Sequence, residues 1–254
     1  MTIEDRILEA RKNLVQIQKD LVEQLSKDRS RSRGPLVRQM HVVRGMLSQN
    51  YAFMSQAGQD LVVDRHFRFK TGGTFVDVGA YDGVTGSNTL FFERFRGWTG
   101  VLVEPVAEQR AKAVQLRSSP VLDYAVSTKE GTAEFISVSE GYTQMSGLAA
   151  TYDAHMLERI RADKRHVEKT IKVPTRPLSA ILHEADLPNP DFISLDIEGG
   201  ELAVLKNFPF ADHDVGVWSI ENNMGNPELP KLMRKHGYDL VEFCGPDEIY
   251  VKAE

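Results

Sequence analysis

Two acid-bearing strand ends, far apart in the chain, carry most of the chemistry that this sequence offers. The first lies in Thr74–Asn88, TFVDVGAYDGVTGSN. Its apolar run Phe75-Val76-Asp77-Val78 includes a carboxylate and breaks at Gly79. Ala80 and Gly83 keep the turn slim, and a helix is expected to begin near Ser87. A strand feeding a glycine-bearing turn and then a helix opens a crevice for an adenosine-containing cofactor in an α/β sheet. Asp77 discriminates between such cofactors. A dinucleotide would set pyrophosphate at this turn, where a carboxylate repels it. S-adenosylmethionine brings an ammonium and a sulfonium, and both favour a nearby anion. The turn Gly79-Ala80-Tyr81-Asp82-Gly83 also lacks the G-x-G-x-x-G spacing, which disfavours a nicotinamide dehydrogenase.

The second is Leu195-Asp196-Ile197-Glu198-Gly199-Gly200-Glu201. Asp196 ends an apolar strand at the same expected sheet edge as Asp77. The strand after it ends in Glu221-Asn222-Asn223. Neighbouring strands would bring Asp196, Glu221 and Asn222 to one rim, and hard oxygen donors of this kind suit Mg²⁺ or Ca²⁺. The plainer alternative pairs Glu221 with a lysine or arginine and lets Asn222 cap a turn. Asp196 is the candidate general base, with metal ligation as a second role. Glu198 and Glu201 read as first-turn acids favoured by a helix N-terminus, Glu201 especially.

Between these ends stands Glu104, 21 residues past Gly83, closing Val101-Leu102-Val103. In a Rossmann-type sheet this position meets the ribose hydroxyls. The third strand ends Asp123-Tyr124-Ala125-Val126. Ala125 leaves room for an adenine, and Asp123 either accepts from the adenine amine or sits on the surface. Among the seven histidines no H-E-x-x-H spacing suggests zinc, and no G-x-S-x-G elbow suggests a hydrolase.

The elements that must position these residues follow from the rhythm of the chain. Strands are expected at Phe75–Val78, Val101–Val103, Val121–Val126, Phe192–Ile197 and Val215–Ile220, with a further one at Thr132–Val138. Helices are expected at Val106–Leu116, Ala149–Arg161 and Glu201–Leu205. Such alternation implies a mostly parallel sheet covered on both faces. Tyr238–Phe243 and Ile249–Val251 around Gly245-Pro246-Asp247 read as a closing antiparallel hairpin. Residues 1–50 form a helical extension. Ile3, Ile7, Ala10, Leu14, Ile17 and Leu21 make a heptad seam, flanked by Leu8, Val15 and Val22. The seam docks on the chain itself or pairs with a second subunit. Residues 26–35, SKDRSRSRGP, read as a solvated basic linker, and Val37–Phe53 as helix.

The 254 residues, 41% hydrophobic and 26% charged, suit one α/β domain with an appendage at residues 51–254 and 1–50. A net charge of −5 argues against a surface that grips nucleic acid. Cys244 is the sole cysteine, so an intrachain disulfide is excluded and a reducing, cytoplasmic setting fits. The start MTIEDRILEA does not look like a secretory signal, and no apolar run nears the roughly 18 residues of a membrane helix.

With these residues in place, the chain resembles the FkbM-type family of S-adenosylmethionine-dependent methyltransferases over about residues 51–252. The resemblance is carried by Ser55-Gln56-Ala57-Gly58-Gln59-Asp60, Val76-Asp77-Val78-Gly79-Ala80 with Asp82-Gly83, and Ser87-Asn88-Thr89. It extends through Gly97-Trp98-Thr99-Gly100 with Glu104-Pro105, and Asp196–Glu201. It implies a class I Rossmann-like fold, a mostly parallel seven-stranded sheet ending in an antiparallel hairpin. It further implies O-methylation of sugars or other hydroxyls in glycans and natural products. Gln56, Asp77, Gly79, Ala80, Tyr81, Gly83, Ser87, Asn88, Glu104, Pro105, Asp123, Ala125 and Asp196 would then contact the cofactor. Relatives acting on antibiotic sugars hold a divalent metal on acids at positions matching Asp196, Glu221 and Asn222, the last an amide here. The expected activity is thus Mg²⁺-assisted O-methylation of a sugar or glycan acceptor by a homo-oligomer joined through its N-terminal helix. The alternatives are a metal-independent lipid or small-molecule methyltransferase and a catalytically silent assembly partner.

Overall fold

The computed structural model describes residues 1–253. Helices α1 (Ile3–Lys27) and α2 (Arg33–Leu47) form an antiparallel pair, and α3 (Gln59–His66) leads into the sheet. Strands β1 (Thr74–Val78) and β2 (Thr99–Val103) are followed by α4 (Ala107–Leu116) and β3 (Val121–Leu122). Next come β4 (Ala125–Val126), β5 (Gly131–Glu140), β6 (Gly147–Leu148), α5 (Ala154–Arg161) and β7 (Val167–Arg176). The chain then runs through α6 (Leu178–Glu184), β8 (Phe192–Leu195), α7 (Glu201–Lys206) and β9 (Val217–Glu221). It closes with α8 (Glu228–Lys235), β10 (Tyr238–Cys244) and β11 (Asp247–Lys252).

The main sheet has seven strands in the order β10-β11-β9-β8-β1-β2-β3. It is parallel from β9 to β3, and β11 runs antiparallel to both its neighbours. This is the class I arrangement expected from the sequence. Strands buried on both faces need apolar side chains on both. Val76, Val78, Val103, Ile193 and Leu195 supply one core, and Phe75, Leu102, Phe192 and Val217 the other. The register sets Val78 beside Leu195, so the turn after β1 abuts the residue after β8. There Gly79 is obligatory: φ is +80°, and a Cβ would lie 1.8 Å from the Asp196 carbonyl oxygen.

Several expected boundaries move. Val121–Val126 is not one strand but β3 in the main sheet and β4 in a second sheet, ordered β4-β7-β5-β6. The helix expected near Ser87 begins at Leu90 and winds into a π-helical turn, Phe92–Arg96. The helix expected at Ala149–Arg161 starts at Ala154, where Asp153 accepts the Met156 N–H at 2.8 Å. Val37–Phe53 is α2, shifted to Arg33–Leu47. β7 was not expected at all.

At the N-terminus Thr2 and Asp5 close a capping box on α1. The later part of the heptad seam is used internally: Leu21 packs with Met40 and Val43 of α2, joined by Leu14 and Leu25. The basic segment is not a wholly solvated linker. Pro35 falls in the first turn of α2, where its missing N–H costs nothing. Arg33 makes a bidentate pair with Glu242 at 2.7 and 2.6 Å. Arg31 binds Glu248 and the carbonyls of Asn222 and Pro246.

Candidate functional site

A cavity of about 480 Å³ opens where the C-terminal ends of the parallel strands meet the second sheet and α5. Of the residues singled out in the sequence, Gln56, Asp77, Gly79, Ala80, Tyr81, Ser87, Asn88, Glu104, Pro105, Ala125, Asp196 and Glu221 line it. Gly83, Asp123 and Asn222 do not.

The turn after β1 is built around Asp77. Its Oδ2 accepts from Ser87 Oγ at 3.1 Å and Thr89 Oγ1 at 2.6 Å. The buried guanidinium of Arg117 lies 3.8 Å away and donates to the Gly83 carbonyl at 2.9 Å and to Thr89 Oγ1 at 3.0 Å. Burial drives the Asp77 carboxyl up, and Arg117 opposes it. Asp77 therefore holds the turn together as well as facing the cavity. Gly83 belongs to this scaffold, its Cα hydrogens packed on Arg117 and Ala113. Arg117 carries no motif of its own, so spacing alone did not reveal it.

Asn88 reaches across to β8 and β11. Its Nδ2 donates to Ser194 Oγ at 3.0 Å and to Asp247 Oδ2 at 3.5 Å. That fixes the amide, and its Oδ1 is left buried with no donor. Buried polar atoms are rarely left so.

Glu104 ends β2 as expected. Its two oxygens accept the Tyr81 N–H at 2.9 Å and the Val106 N–H at 2.7 Å. Burial outweighs these donors and pushes its carboxyl up to about 7. Tyr81 is held in the left-handed region, φ +50°, and its hydroxyl meets Thr143 Oγ1 at 2.7 Å. The cofactor-type turn and the loop over the cavity are thereby tied together. Asp123 is a correction: it pairs with Arg110 at 2.6 Å and is 54% exposed, outside the cavity.

At the floor, Asp196, Glu198 and Glu221 bring carboxylate oxygens within 4.8 Å of one another. Burial pushes Asp196 up to about 8, with repulsion from Asp247 and Glu201 adding to it and a hydrogen bond with Glu221 opposing it. Burial and the neighbouring acids raise Glu198 and Glu221 well above the carboxylate range. Glu198 was read as a helix acid; instead it adopts φ +59°. With that left-handed backbone Glu198 lines the cavity. Glu201 fits its expected role, accepting the N–H groups of Ile197 at 2.9 Å and Gly199 at 3.1 Å. Asn222 is the second correction. Its Oδ1 accepts the Asn226 N–H at 2.7 Å, and its Nδ2 donates to Glu248 at 2.9 Å, so it caps a turn and leaves the cluster. Glu198 takes the place expected of it.

Asp247 was missed. It opens β11 beside Glu221, lines the cavity and is buried. Its Oδ2 accepts from Gln59 at 3.1 Å and Ser219 at 3.0 Å. The Gly-Pro-Asp turn signalled a hairpin, and that signal masked an acid at the strand start.

A class I methyltransferase sheet with its cavity at the strand ends defines the class of protein. Residues 77–240 match the methyltransferase FkbM domain, well over half of the chain. The chain belongs to this family of S-adenosylmethionine-dependent methyltransferases. No curated protein sequence matches it. Among solved structures, a methyltransferase FkbM from Methylobacillus flagellatus KT is 15% identical, with a TM-score of 0.49 over 93% of this chain. This chain spans 58% of that one's length. A precorrin-6y C5,15-methyltransferase from Geobacter metallireducens GS-15 is 11% identical, with a TM-score of 0.43 over 82% of this chain and 94% of that chain. An S-adenosylmethionine-dependent methyltransferase from Geobacter sulfurreducens, in complex with S-adenosyl-L-homocysteine, is 14% identical, with a TM-score of 0.34 over 74% of this chain and 66% of that chain. Among the described residues no helix is long and apolar enough to cross a membrane.

Proposed function

We propose that the protein is a cytoplasmic O-methyltransferase that methylates a hydroxyl of a sugar or glycan, assisted by a divalent cation. The observation that carries this reading is the cavity floor, where Asp196, Glu198 and Glu221 converge. The sugar rests on the family resemblance.

The residues fit the cofactor. The orphaned Oδ1 of Asn88 calls for a buried donor, and the ammonium of a methionine moiety is donor-only. Gln56, Tyr81, Ser87 and Asn88 would hold that moiety, Glu104 and Pro105 the ribose, and Ala125 would leave space for the adenine. When bound, the cofactor supplies a methyl group made electrophilic by its sulfonium.

The floor fits a hard cation equally well. Carboxylates buried together without a basic side chain beside them are costly unless charge is neutralised. Asp196, Glu198 and Glu221 would hold Mg²⁺, which would supply a Lewis acid near a hydroxyl whose own pKa lies far above neutrality. Asp196, which follows β8, would take the hydroxyl proton. Tyr81 and Thr143 would keep the overlying loop closed and water out. We also infer self-association through the exposed part of α1.

The test is transfer of labelled methyl to neutral and acidic oligosaccharides against Mg²⁺ concentration, with and without chelator, beside calorimetry of S-adenosylmethionine binding. Asp196→Asn is expected to abolish turnover and leave cofactor affinity within about tenfold, about 1.4 kcal/mol. Full activity after exhaustive chelation would remove the cation from this scheme. Failure to bind S-adenosylmethionine would overturn it entirely.

A further inference from the structure

The charged side chains lining the cavity are sorted by depth. Asp77, Glu104, Glu198, Glu221 and Asp247 are buried, and Asp196 stands among them. At the mouth the charged lining residues are Arg38 of α2 and Arg159 of α5, both exposed. The other exposed side chains of the lining, Gln56, Thr85, Tyr142 and Gln144, are neutral. Some arginines elsewhere in the fold, such as Arg31, Arg33, Arg96 and Arg117, are paired with acids, and others, such as Arg44, Arg65 and Arg94, have no ion pair among the described residues. Arg38 and Arg159 have no such ion pair among the described residues. Two unpaired guanidinium groups thus flank a mouth whose depths are acidic.

We propose that the acceptor is an anion, a sugar or comparable polyol bearing a carboxylate or phosphate, whose charged group is held at the mouth by Arg38 and Arg159. This rests on the methyltransferase reading above. A guanidinium presents a planar fork that matches carboxylate and phosphate oxygens, so two of them discriminate an anion from its neutral isostere. They also draw an anion towards the opening. Among the described residues no other cationic side chain lines the cavity, so the charged end is favoured at the mouth and the molecule enters in one orientation. Its charged end stays outside, and a hydroxyl remote from that end reaches Asp196. The two arginines come from the N-terminal helical pair and from the segment between β6 and β7. Both additions to the central sheet thereby contribute to acceptor choice.

The experiment uses the full chain loaded with S-adenosylhomocysteine and compares glucuronate, glucose 6-phosphate and glucose by calorimetry at low and at moderate salt. At least one anion is expected to bind about tenfold more tightly than glucose, with the preference shrinking as salt rises. The double variant Arg38→Gln with Arg159→Gln is expected to bind all three alike, since both side chains are exposed and make no bond that folding needs. Equal binding of anions and glucose by the native protein, or a preference that survives in the double variant, would overturn the proposal. So would loss of S-adenosylhomocysteine affinity in the double variant, which would assign the arginines to the cofactor's own carboxylate. If the native protein fails to bind S-adenosylhomocysteine, the methyltransferase reading falls first. Cofactor binding without any anion preference sinks this inference alone.

Discussion

Carboxylates packed together at the end of β8 keep protons that free carboxylates lose. Asp196 rises from its ordinary 3.8 to about 8, so across that interval the folded chain holds a proton and the unfolded chain does not. Stability must then fall as pH rises through that window, the reverse of a salt-bridged acid. Thermal melts in chelator should show a lower midpoint at pH 8 than at pH 5.5, and Mg²⁺ should restore most of the loss at pH 8 by binding the ionised cluster. A midpoint that climbs with pH in chelator would mean that these acids are not coupled as described. The exchange of Glu198 for Asn222 gives a second contrast. Glu198→Gln should weaken Mg²⁺ binding and be partly rescued by excess metal. Asn222→Ala should spare the metal and cost about 1–3 kcal/mol of stability through lost buried hydrogen bonds. Mn²⁺ binding followed by electron paramagnetic resonance, beside urea unfolding, separates the two. Acids at strand ends were legible because an apolar run stops at them. The aim of Glu198 was not, because it depends on a backbone twist at φ +59° that no spacing encodes.

At the scale of elements, the corner between α1 and α2 grips the strand ends that carry the site. Arg31 binds Glu248 of β11 and the carbonyls of Asn222 and Pro246, next to Glu221 and Asp247. Gly34 and Gly245 add a backbone bond of 3.0 Å. Arg31→Ala should cost about 2 kcal/mol, since Glu248 is left buried with fewer partners. It should also depress turnover more than cofactor affinity, because the loosened loops carry the acids and not the cofactor turn. Unfolding curves and calorimetry on the same variant check both, and turnover equal to the native chain's would confine Arg31 to stability. The segment looked like wet linker because its composition is Ser and Arg. Its partners lie more than 190 positions away, and a composition reading cannot see them. The parallel strands were legible as continuous apolar runs. β7 was not, because Pro174 reads as a break. The chain tolerates that proline because β4 pairs with β7 only at Thr175 and Arg176.

For the whole molecule, the question is what covers the part of α1 that α2 leaves open. Leu14, Leu21 and Leu25 face α2, while Ile3, Ile7, Leu8, Val15 and Val22 stay exposed. Ile3 and Ile7 are 74% and 64% exposed, so the early seam has no partner within the chain. An antiparallel second copy of the same segment would set the acids Glu4 and Asp5 near Arg11 and Lys12, which complement them. Removing residues 1–26 is a poor test, because it also strips Leu21 from Met40 and Val43 and bares α2. Ile7→Glu with Leu8→Glu leaves that internal packing in place and puts repelling charge on the exposed row. Light scattering should then show the native chain as a multimer at micromolar concentration and the double variant as a monomer with an unchanged melting midpoint. A native chain of monomer mass would mean that this face meets water or a different protein, and self-association would be wrong.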